Sequence, residues 1–206
     1  TRTRRQRQMC IRDSINYDDW VVLYPHINYP CACTTHFAYL ERPEMMGGYK
    51  ERVFDVFTKV KPFVFGLSNT INKTYHDLCQ IPSDKLFLNP NGVMLDNFRF
   101  TEEPKYYTSS IYLAKVDHRK RQHLFQKIPS LYYAGNIANS KFDTYKNYLG
   151  EWEKVVLYDS LTDYGNLVLL SDGEAHPLVC MEAFAAGLGV VAVSYTHLRA
   201  HETWSY

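Results

Sequence analysis

Two glutamates near the C-terminal end of the chain are the residues best suited to chemistry. Glu174 follows an apolar run and a Ser-Asp-Gly turn at 171–173, and Glu182 comes eight positions later. Pro177 lies between them and favours the first turn of a helix. The free amides at the start of such a helix, together with its dipole, bind anions such as a diphosphate. The sequence therefore predicts an anion site flanked by two carboxylates, with a solvated helix face as the alternative.

The helix predicted at 177–187 sets the geometry of this site. Its free amides are those of Leu178 and Val179. Glu182 comes five residues after the proline, just over one turn into the helix, so its side chain can reach a ligand hydroxyl. Small residues in the second half of the helix allow close packing on a sheet.

Short apolar runs alternate with helix-like segments along the rest of the chain. The runs expected as buried strands are 21–24, 63–67, the first half of 85–92, 110–114, 131–135, 154–158, 166–170 and 189–193. The segments expected as helices are 48–61, 70–79, about 119–127, 140–149 and 177–187. This alternation predicts an α/β fold with a parallel sheet covered on both faces. Such sheets bind ligands beyond the carboxyl ends of their strands, where Glu174 lies.

The segment LVLLSDGEAHPLVCMEAFAAGLGVVAV resembles the donor-binding signature of the retaining GT-B glycosyltransferases, the group once called glycosyl transferases group 1 and similar to family 4. That signature contains two glutamates separated by seven residues, which is the spacing of Glu174 and Glu182. Two departures are Gly189, where the family usually has proline, and His176 before Pro177.

Two further segments are similar to the same family. SIYLAKVDHRKR at 110–121 is similar to a strand followed by glycine-arginine and by a lysine about five residues on. Lys115 stands at the arginine position and Lys120 at the lysine position. SNTINKTYHDLCQIPSDKLFLNPNGV at 68–93 is similar to the segment that closes the N-terminal domain. The resemblance covers about 63–193.

The resemblance implies the GT-B architecture, with two Rossmann-like parallel-sheet domains. The N-terminal domain is then mostly missing and the C-terminal one is truncated. We expect a remnant of the N-terminal acceptor domain at 15–100, a hinge at 101–109 and the donor domain at 110–192. We accordingly expect the 206-residue chain itself to be inactive.

The activity that the resemblance implies is transfer of a sugar from a nucleoside-diphosphate-sugar to an acceptor hydroxyl, with retention of the anomeric configuration. In that activity Lys115, Lys120 and the amides at 178–179 stabilise the departing diphosphate. Lysine at the arginine position keeps the charge but loses the bidentate fork, and Arg119 or Arg121 can share its role. The alternative for the two lysines is a basic surface loop.

The resemblance also assigns roles to the remaining candidates. Glu174 is expected to contact and orient the donor sugar, and Glu182 is expected to bind ribose hydroxyls. Gly135 follows the run LYYAG and is expected to let backbone approach the nucleoside, with a simple turn as the alternative. His36 and His176 are interpreted as loop residues rather than catalysts.

Neither a metal nor another cofactor is expected, and the nucleotide sugar is a co-substrate. The sequence has no Asp-x-Asp motif, and Cys31, Cys33, Cys79 and Cys180 lack the spacing of a zinc site or a disulfide framework. The expected acceptor is a glycan, a lipid or a small molecule. No apolar run reaches the roughly 20 residues of a membrane helix. We expect a cytoplasmic protein, either free or at the inner face of a membrane.

The two ends of the chain are similar to translations of transposase-type sequencing adapters. They are RRQRQMCIRDS at 4–14 and VSYTHLRAHET at 193–203. We expect residues 1–14 and 193–206 to be non-native, as in a metagenomic fragment. The alternative for the first is a basic arm that binds nucleic acid. Setting the ends aside removes six of 23 basic and two of 22 acidic residues, so 17 basic and 20 acidic residues remain. This balance favours neither nucleic acid nor an anionic membrane as a partner.

Two other functions stay open. A GT-B epimerase or phosphorylase would use the same donor pocket for a different reaction. A non-catalytic nucleotide-sugar-binding module would bind the donor without turning it over.

Overall fold

The computed structural model describes residues 22–23, 26, 30–35, 49–144, 147–174 and 176–192. The chain divides into two compact units, Thr1–Pro90 and Asn91–Tyr206. Each unit combines a parallel sheet with α-helices, which confirms the predicted α/β class. The end segments that we interpret as adapter translations lie outside the described residues, as does His36.

The first unit contains a parallel sheet with the order β1-β2-β3. Its elements are β1 (Ala32–Thr35), α1 (Tyr49–Val60), β2 (Phe63–Gly66), α2 (Asn69–Cys79) and β3 (Leu86–Leu88). Apolar side chains of both helices form its core, and Phe57 packs 5.0 Å from Tyr75 between ring centroids. The Ser68 hydroxyl accepts a hydrogen bond from the Ile71 amide at 3.1 Å and so caps α2.

The second unit contains a parallel sheet with the order β5-β4-β6-β7. Its elements are β4 (Tyr106–Leu113), β5 (Leu131–Ala134), α3 (Lys154–Ser160), β6 (Tyr164–Leu169), α4 (Leu178–Ala186) and β7 (Gly189–Ala192). The central strand β4 buries both Ile111 and Tyr112 completely, because layers cover both of its faces. None of the described helices is long and apolar enough to span a bilayer.

The strand order creates a topological switch point in this second sheet. The chain goes from β4 to its neighbour β5, and then crosses back to β6 on the other side of β4. The connections after β4 and β6 therefore leave neighbouring strands in opposite directions at the carboxyl edge. Such a switch point opens a crevice where α/β sheets bind their ligands. Here the crevice lies between the connection that starts at residue 114 and the turn that starts at residue 170.

The strand predicted at 154–158 is wrong, since this segment lies in helix α3. Val155 and Val156 are exposed, so the apolar run is not the buried strand that it resembles. Residues just before it pair with β5 instead: Tyr148 forms a parallel bridge with Tyr133, and the Leu149 amide donates to the Tyr133 carbonyl at 2.8 Å. A short apolar run fits either a strand or a helix, and periodicity alone cannot separate them.

Two predicted helices are also wrong. Within 119–127 the structure has a single 3-10 turn at Gln122–Leu124, because Arg121 adopts the left-handed conformation with φ 59°. The described residues of 140–149 contain no helix. There the Asn139 side chain accepts a hydrogen bond from the Lys141 amide at 3.0 Å, which favours a turn.

Two boundaries differ from those expected. Strand β4 begins at Tyr106, so residues 106–109 of the predicted hinge belong to the sheet, and the sequence boundary between the two units falls after Pro90. Val22 and Leu23, expected in a strand, are helical. The predicted helices at 48–61, 70–79 and 177–187 are confirmed to within two residues at each end.

Candidate functional site

The turn after β6 brings Glu174 to the crevice. Ser171 is buried, Gly173 adopts a positive φ of 91°, and the Asp172 amide donates to the Arg119 carbonyl at 2.7 Å. Glu174 is only 8% exposed. The turn is thus attached to the connection after β4, and it holds a nearly buried carboxylate at the switch point.

Two cations of the β4–β5 connection contact that carboxylate. The Lys120 ammonium is ion-paired with Oε1 of Glu174, and the Arg119 guanidinium lies 3.1 Å from the same oxygen. Arg119 also donates to the Gly173 carbonyl at 2.6 Å. The two cations and one carboxylate give this cluster a net charge of +1, which suits an anionic ligand. Arg119 is one of the two arginines that can share the role expected of Lys115. The structure places it beside Lys120.

The pKa of Glu174 reflects these contacts. Burial alone would raise the pKa of this carboxyl, because it removes water from the charged form. The charge and the hydrogen bond of Lys120, a hydrogen bond with Ser171 and the charge of Arg119 outweigh burial, so the pKa is lowered. Glu174 is therefore a carboxylate at neutral pH and not a general acid in this arrangement.

The connection after β4 is shaped by local polar contacts. Oδ1 of Asp117 accepts a hydrogen bond from the Lys120 amide at 2.8 Å. The buried Gln122 side chain donates to the Lys115 carbonyl at 3.0 Å. Sequence reasoning missed both supports. An aspartate that can accept a hydrogen bond from a backbone amide a few residues later is a turn signal that could have revealed the first, whereas no local signal reveals the second.

Tyr112 links the connection after β4 to the end of β6. Its hydroxyl donates to the Lys120 carbonyl, accepts a hydrogen bond from the Leu170 amide at 3.1 Å and lies 3.4 Å from Oγ of Ser171. Burial raises the pKa of Tyr112 to about 12, partly offset by its hydrogen bonds with Ser171 and Leu170. Nothing in the sequence distinguishes this tyrosine from the other aromatic residues of the sheet.

Gly135 packs against the same connection. It has φ 142°, and a Cβ there would lie 2.6 Å from the Ala114 carbonyl carbon and closer still to its oxygen. The position requires glycine because backbone approaches backbone here, at the residue that precedes Lys115. Lys115 itself is exposed, and its ammonium forms no ion pair with any residue that the structure describes. The expected approach of Gly135 to a nucleoside stays a prediction.

Helix α4 begins where the sequence predicts. Pro177 occupies its N-cap position, and Gly187 ends it in the left-handed conformation with φ 89°. The amides of Leu178 and Val179 have no hydrogen-bond acceptor among the residues that the structure describes. The helix thus presents free donors that begin four residues after Glu174.

Glu182 lies in a different environment from Glu174. Burial raises the pKa of Glu182, and the nearby positive charge of Lys154 partly offsets this effect. Its contact with ribose hydroxyls stays a prediction. The structure brings Glu174 together with Lys120 and Arg119, whereas Lys115 and Glu182 form no ion pair with that cluster among the described residues.

Two remaining expectations concern histidine and metals. His176 lies in the turn before α4, and its carbonyl accepts a hydrogen bond from the Asn91 side chain at 2.9 Å. Within the described part of the chain, no group of three or more histidine, cysteine, aspartate or glutamate residues is placed to hold a metal ion.

Comparison with known proteins gives similarity of structure without similarity of sequence. No family model matches the sequence, and no curated protein matches it. Among solved structures, Anabaena HepE in complex with UDP and glucose has a TM-score of 0.69 at 13% identity, over 93% of this chain and 60% of that chain. These similarities show the GT-B fold.

Other structures with the GT-B fold match in the same way. TarM of S. aureus, in complex with fondaparinux, alpha-GlcNAc-glycerol and UDP, has a TM-score of 0.64 at 17% identity, over 93% of this chain and 44% of that chain. Sucrose-phosphate synthase from Thermosynechococcus elongatus has a TM-score of 0.65 at 16% identity, over 89% of this chain and 55% of that chain. The chain therefore spans about 60% or less of the length of these proteins.

Proposed function

We propose that the second unit binds a nucleoside-diphosphate-sugar, and that the complete protein transfers the sugar to an acceptor hydroxyl with retention of configuration. The observation that carries this proposal is the position of the Lys120, Arg119 and Glu174 cluster. It lies at the switch point of a parallel sheet, directly before the free amides of α4. Structures of similar fold bind UDP or UDP-glucose, which supports the same ligand class.

The charges of the cluster suit a departing diphosphate. Cleavage of the bond between sugar and phosphate leaves negative charge on the diphosphate, and fixed positive charges nearby lower the energy of that step. Lys120 and Arg119 carry two positive charges, and Glu174 offsets one of them. The amides of Leu178 and Val179 add donors that need no reorganisation during the reaction.

The proposed roles follow the positions of the residues. Lys120, with Arg119 beside it, holds the diphosphate together with the start of α4. Glu174 orients the donor sugar and fixes the Lys120 ammonium. Lys115 is an exposed residue just after β4 and adds charge when donor binds, while Glu182 binds the ribose. The reaction proposed here needs no metal, because these cations and amides stabilise the charge.

Binding of UDP to the chain tests the donor site. We expect UDP to bind the wild-type chain in titration calorimetry, and Lys120→Met to weaken binding about 10- to 100-fold, as for the loss of a charged contact. Lys127→Met is the matched control, because Lys127 is an exposed lysine of the same connection. Equal effects of the two substitutions would contradict the assignment of Lys120.

Product analysis tests the reaction. With the complete protein, UDP-sugar and an acceptor, we expect UDP to accumulate only when the acceptor is present, and the product to keep the anomeric configuration of the donor in NMR spectra. Release of UDP without an acceptor would favour an epimerase or another relative of the same fold. Tight donor binding with no turnover under any acceptor would favour a non-catalytic binding module.

A further inference from the structure

One buried hydroxyl joins the two segments that border the crevice, namely the connection after β4 and the turn after β6. We call these two segments the arms. Tyr112 is completely buried in the central strand β4, and its hydroxyl reaches the carboxyl edge of the sheet. There it donates to the Lys120 carbonyl on one arm and accepts from the Leu170 amide on the other, at 3.1 Å. We call these two contacts, together with the approach to Ser171, the hydroxyl bridge.

The hydroxyl bridge holds the backbone of Lys120 and the start of the turn that carries Glu174, the two partners of the ion pair. Lys120 is held at its carbonyl by Tyr112 and at its amide by Asp117. The turn that carries Glu174 starts at Leu170 and Ser171, which the same hydroxyl contacts. A shift of either arm would therefore change the separation of the Lys120 ammonium and the Glu174 carboxylate.

A neighbouring tyrosine shows that an aromatic ring can be buried in this core without a hydrogen bond to its hydroxyl. Tyr133 on β5 is also completely buried, and its ring lies 6.2 Å from that of Tyr112 at an interplanar angle of 28°. Its buried hydroxyl has no hydrogen-bond partner among the described residues. Both rings fill the core. Of the two hydroxyls, only that of Tyr112 forms hydrogen bonds to both arms among the described residues.

We propose that Tyr112 is a positioning residue for the donor diphosphate, which it serves by holding the Lys120 backbone and the Leu170–Ser171 turn at a fixed separation. This inference rests on the proposed function, because it assumes that Lys120 binds the diphosphate. Tyr112 itself does not touch the donor.

Tyr112→Phe and Tyr133→Phe form a matched pair that tests the inference. Each substitution keeps a buried ring and removes one oxygen, so an effect on packing alone would be similar for both. For Tyr112→Phe we expect the dissociation constant of UDP to rise about tenfold, as for the loss of one or two buried hydrogen bonds. We expect little change in the affinity for uridine, because the nucleoside lacks the diphosphate that Lys120 binds. Tyr133→Phe should leave both affinities unchanged.

Hydrogen exchange without any ligand separates this inference from the proposed function. We expect amide exchange at Leu170 to become about tenfold faster in Tyr112→Phe, and to stay unchanged in Tyr133→Phe. If UDP does not bind the wild-type chain, the proposed function fails, while the exchange comparison still decides whether the bridge holds the two arms. Equal exchange in both variants would overturn the hydroxyl bridge.

A second substitution covers the case in which Tyr112→Phe does not fold. Ser171→Ala keeps Tyr112 and removes the hydroxyl that lies 3.4 Å from it and that also hydrogen-bonds Glu174, the carboxylate at the end of the same turn. We expect a smaller loss of UDP affinity in the same direction, again with uridine affinity unchanged. Equal losses of UDP and uridine affinity would show a general disturbance of the unit and would contradict a role in positioning.

Discussion

The Lys120 ammonium and the Glu174 carboxylate form an ion pair in which the side chains are 13% and 9% exposed. Pairs with so little access to water are costly to break by removing one partner, because the remaining charge loses its compensation. The pair joins the connection after β4 to the turn after β6, two segments that are 54 residues apart in sequence. Loss of either partner should therefore destabilise the unit, and the pair also sets the charge of the crevice.

Glu174→Gln should destabilise the second unit at neutral pH. The amide keeps the shape of the side chain but leaves Lys120 and Arg119 without a counter-charge. We expect the free energy of unfolding to fall by about 1–3 kcal/mol at neutral pH, measured by urea denaturation. Glu153→Gln, at an exposed position without a side-chain cap bond, is the control and should change little.

The same variant should change the response to acid. The pKa of Glu174 is lowered in the folded protein, so below the unfolded value of about 4.3 the unfolded state binds more protons. The stabilisation from this group is then complete above that value and is lost as the pH falls through the folded pKa. We expect wild type and Glu174→Gln to converge in stability under acid, and parallel curves would contradict this assignment.

Gly135→Ala tests the close approach of the two backbones. The new Cβ would meet the Ala114 carbonyl, and φ 142° is unfavourable for alanine. We expect a loss of at least about 2 kcal/mol in the free energy of unfolding. Gly92→Ala is the matched control, because a Cβ there has no heavy atom within 4 Å. A tolerated Gly135→Ala would show that the close approach does not constrain this position.

More of the candidate site than of the fold around it could be predicted from the sequence. Glu174, Pro177 and Gly187 have local signals, namely a turn, an N-terminal proline and a terminal glycine, and the helix forms where these residues predict it. The Lys120–Glu174 contact depends on strand order, which no local pattern reveals. The Tyr112 bridge depends on a single hydroxyl in an apolar strand, where periodicity carries no information about polar partners.

Val155→Ala tests whether the segment 154–158 is stabilised as a helix and not as the predicted strand. Val155 is 68% exposed in α3, so alanine should raise the free energy of unfolding by about 0.5 kcal/mol through its higher helix propensity. Val168→Ala in the buried strand β6 is the contrasting control and should cost about 1–3 kcal/mol. A loss of similar size at Val155, measured by urea denaturation, would favour the strand after all.

Glu182→Gln should have the opposite pH dependence from Glu174→Gln. Burial raises the pKa of Glu182 in the folded protein, so between about pH 4.3 and the raised value the folded state binds more protons than the unfolded state. Stability from this group is therefore lost as the pH rises through that window. Because glutamine carries no charge, we expect the variant to unfold at a higher temperature than wild type at neutral pH and to match it in acid.

Ligand binding then separates a functional carboxylate from an incidental one. If Glu182 binds the ribose, Glu182→Gln should weaken the binding of both UDP and uridine in titration calorimetry. The same variant should have a higher melting temperature than wild type. Lys120→Met should weaken the binding of UDP and leave the binding of uridine unchanged, because Lys120 is proposed to contact the diphosphate. A Glu182→Gln variant that is more stable and binds both ligands as wild type does would remove Glu182 from the donor site.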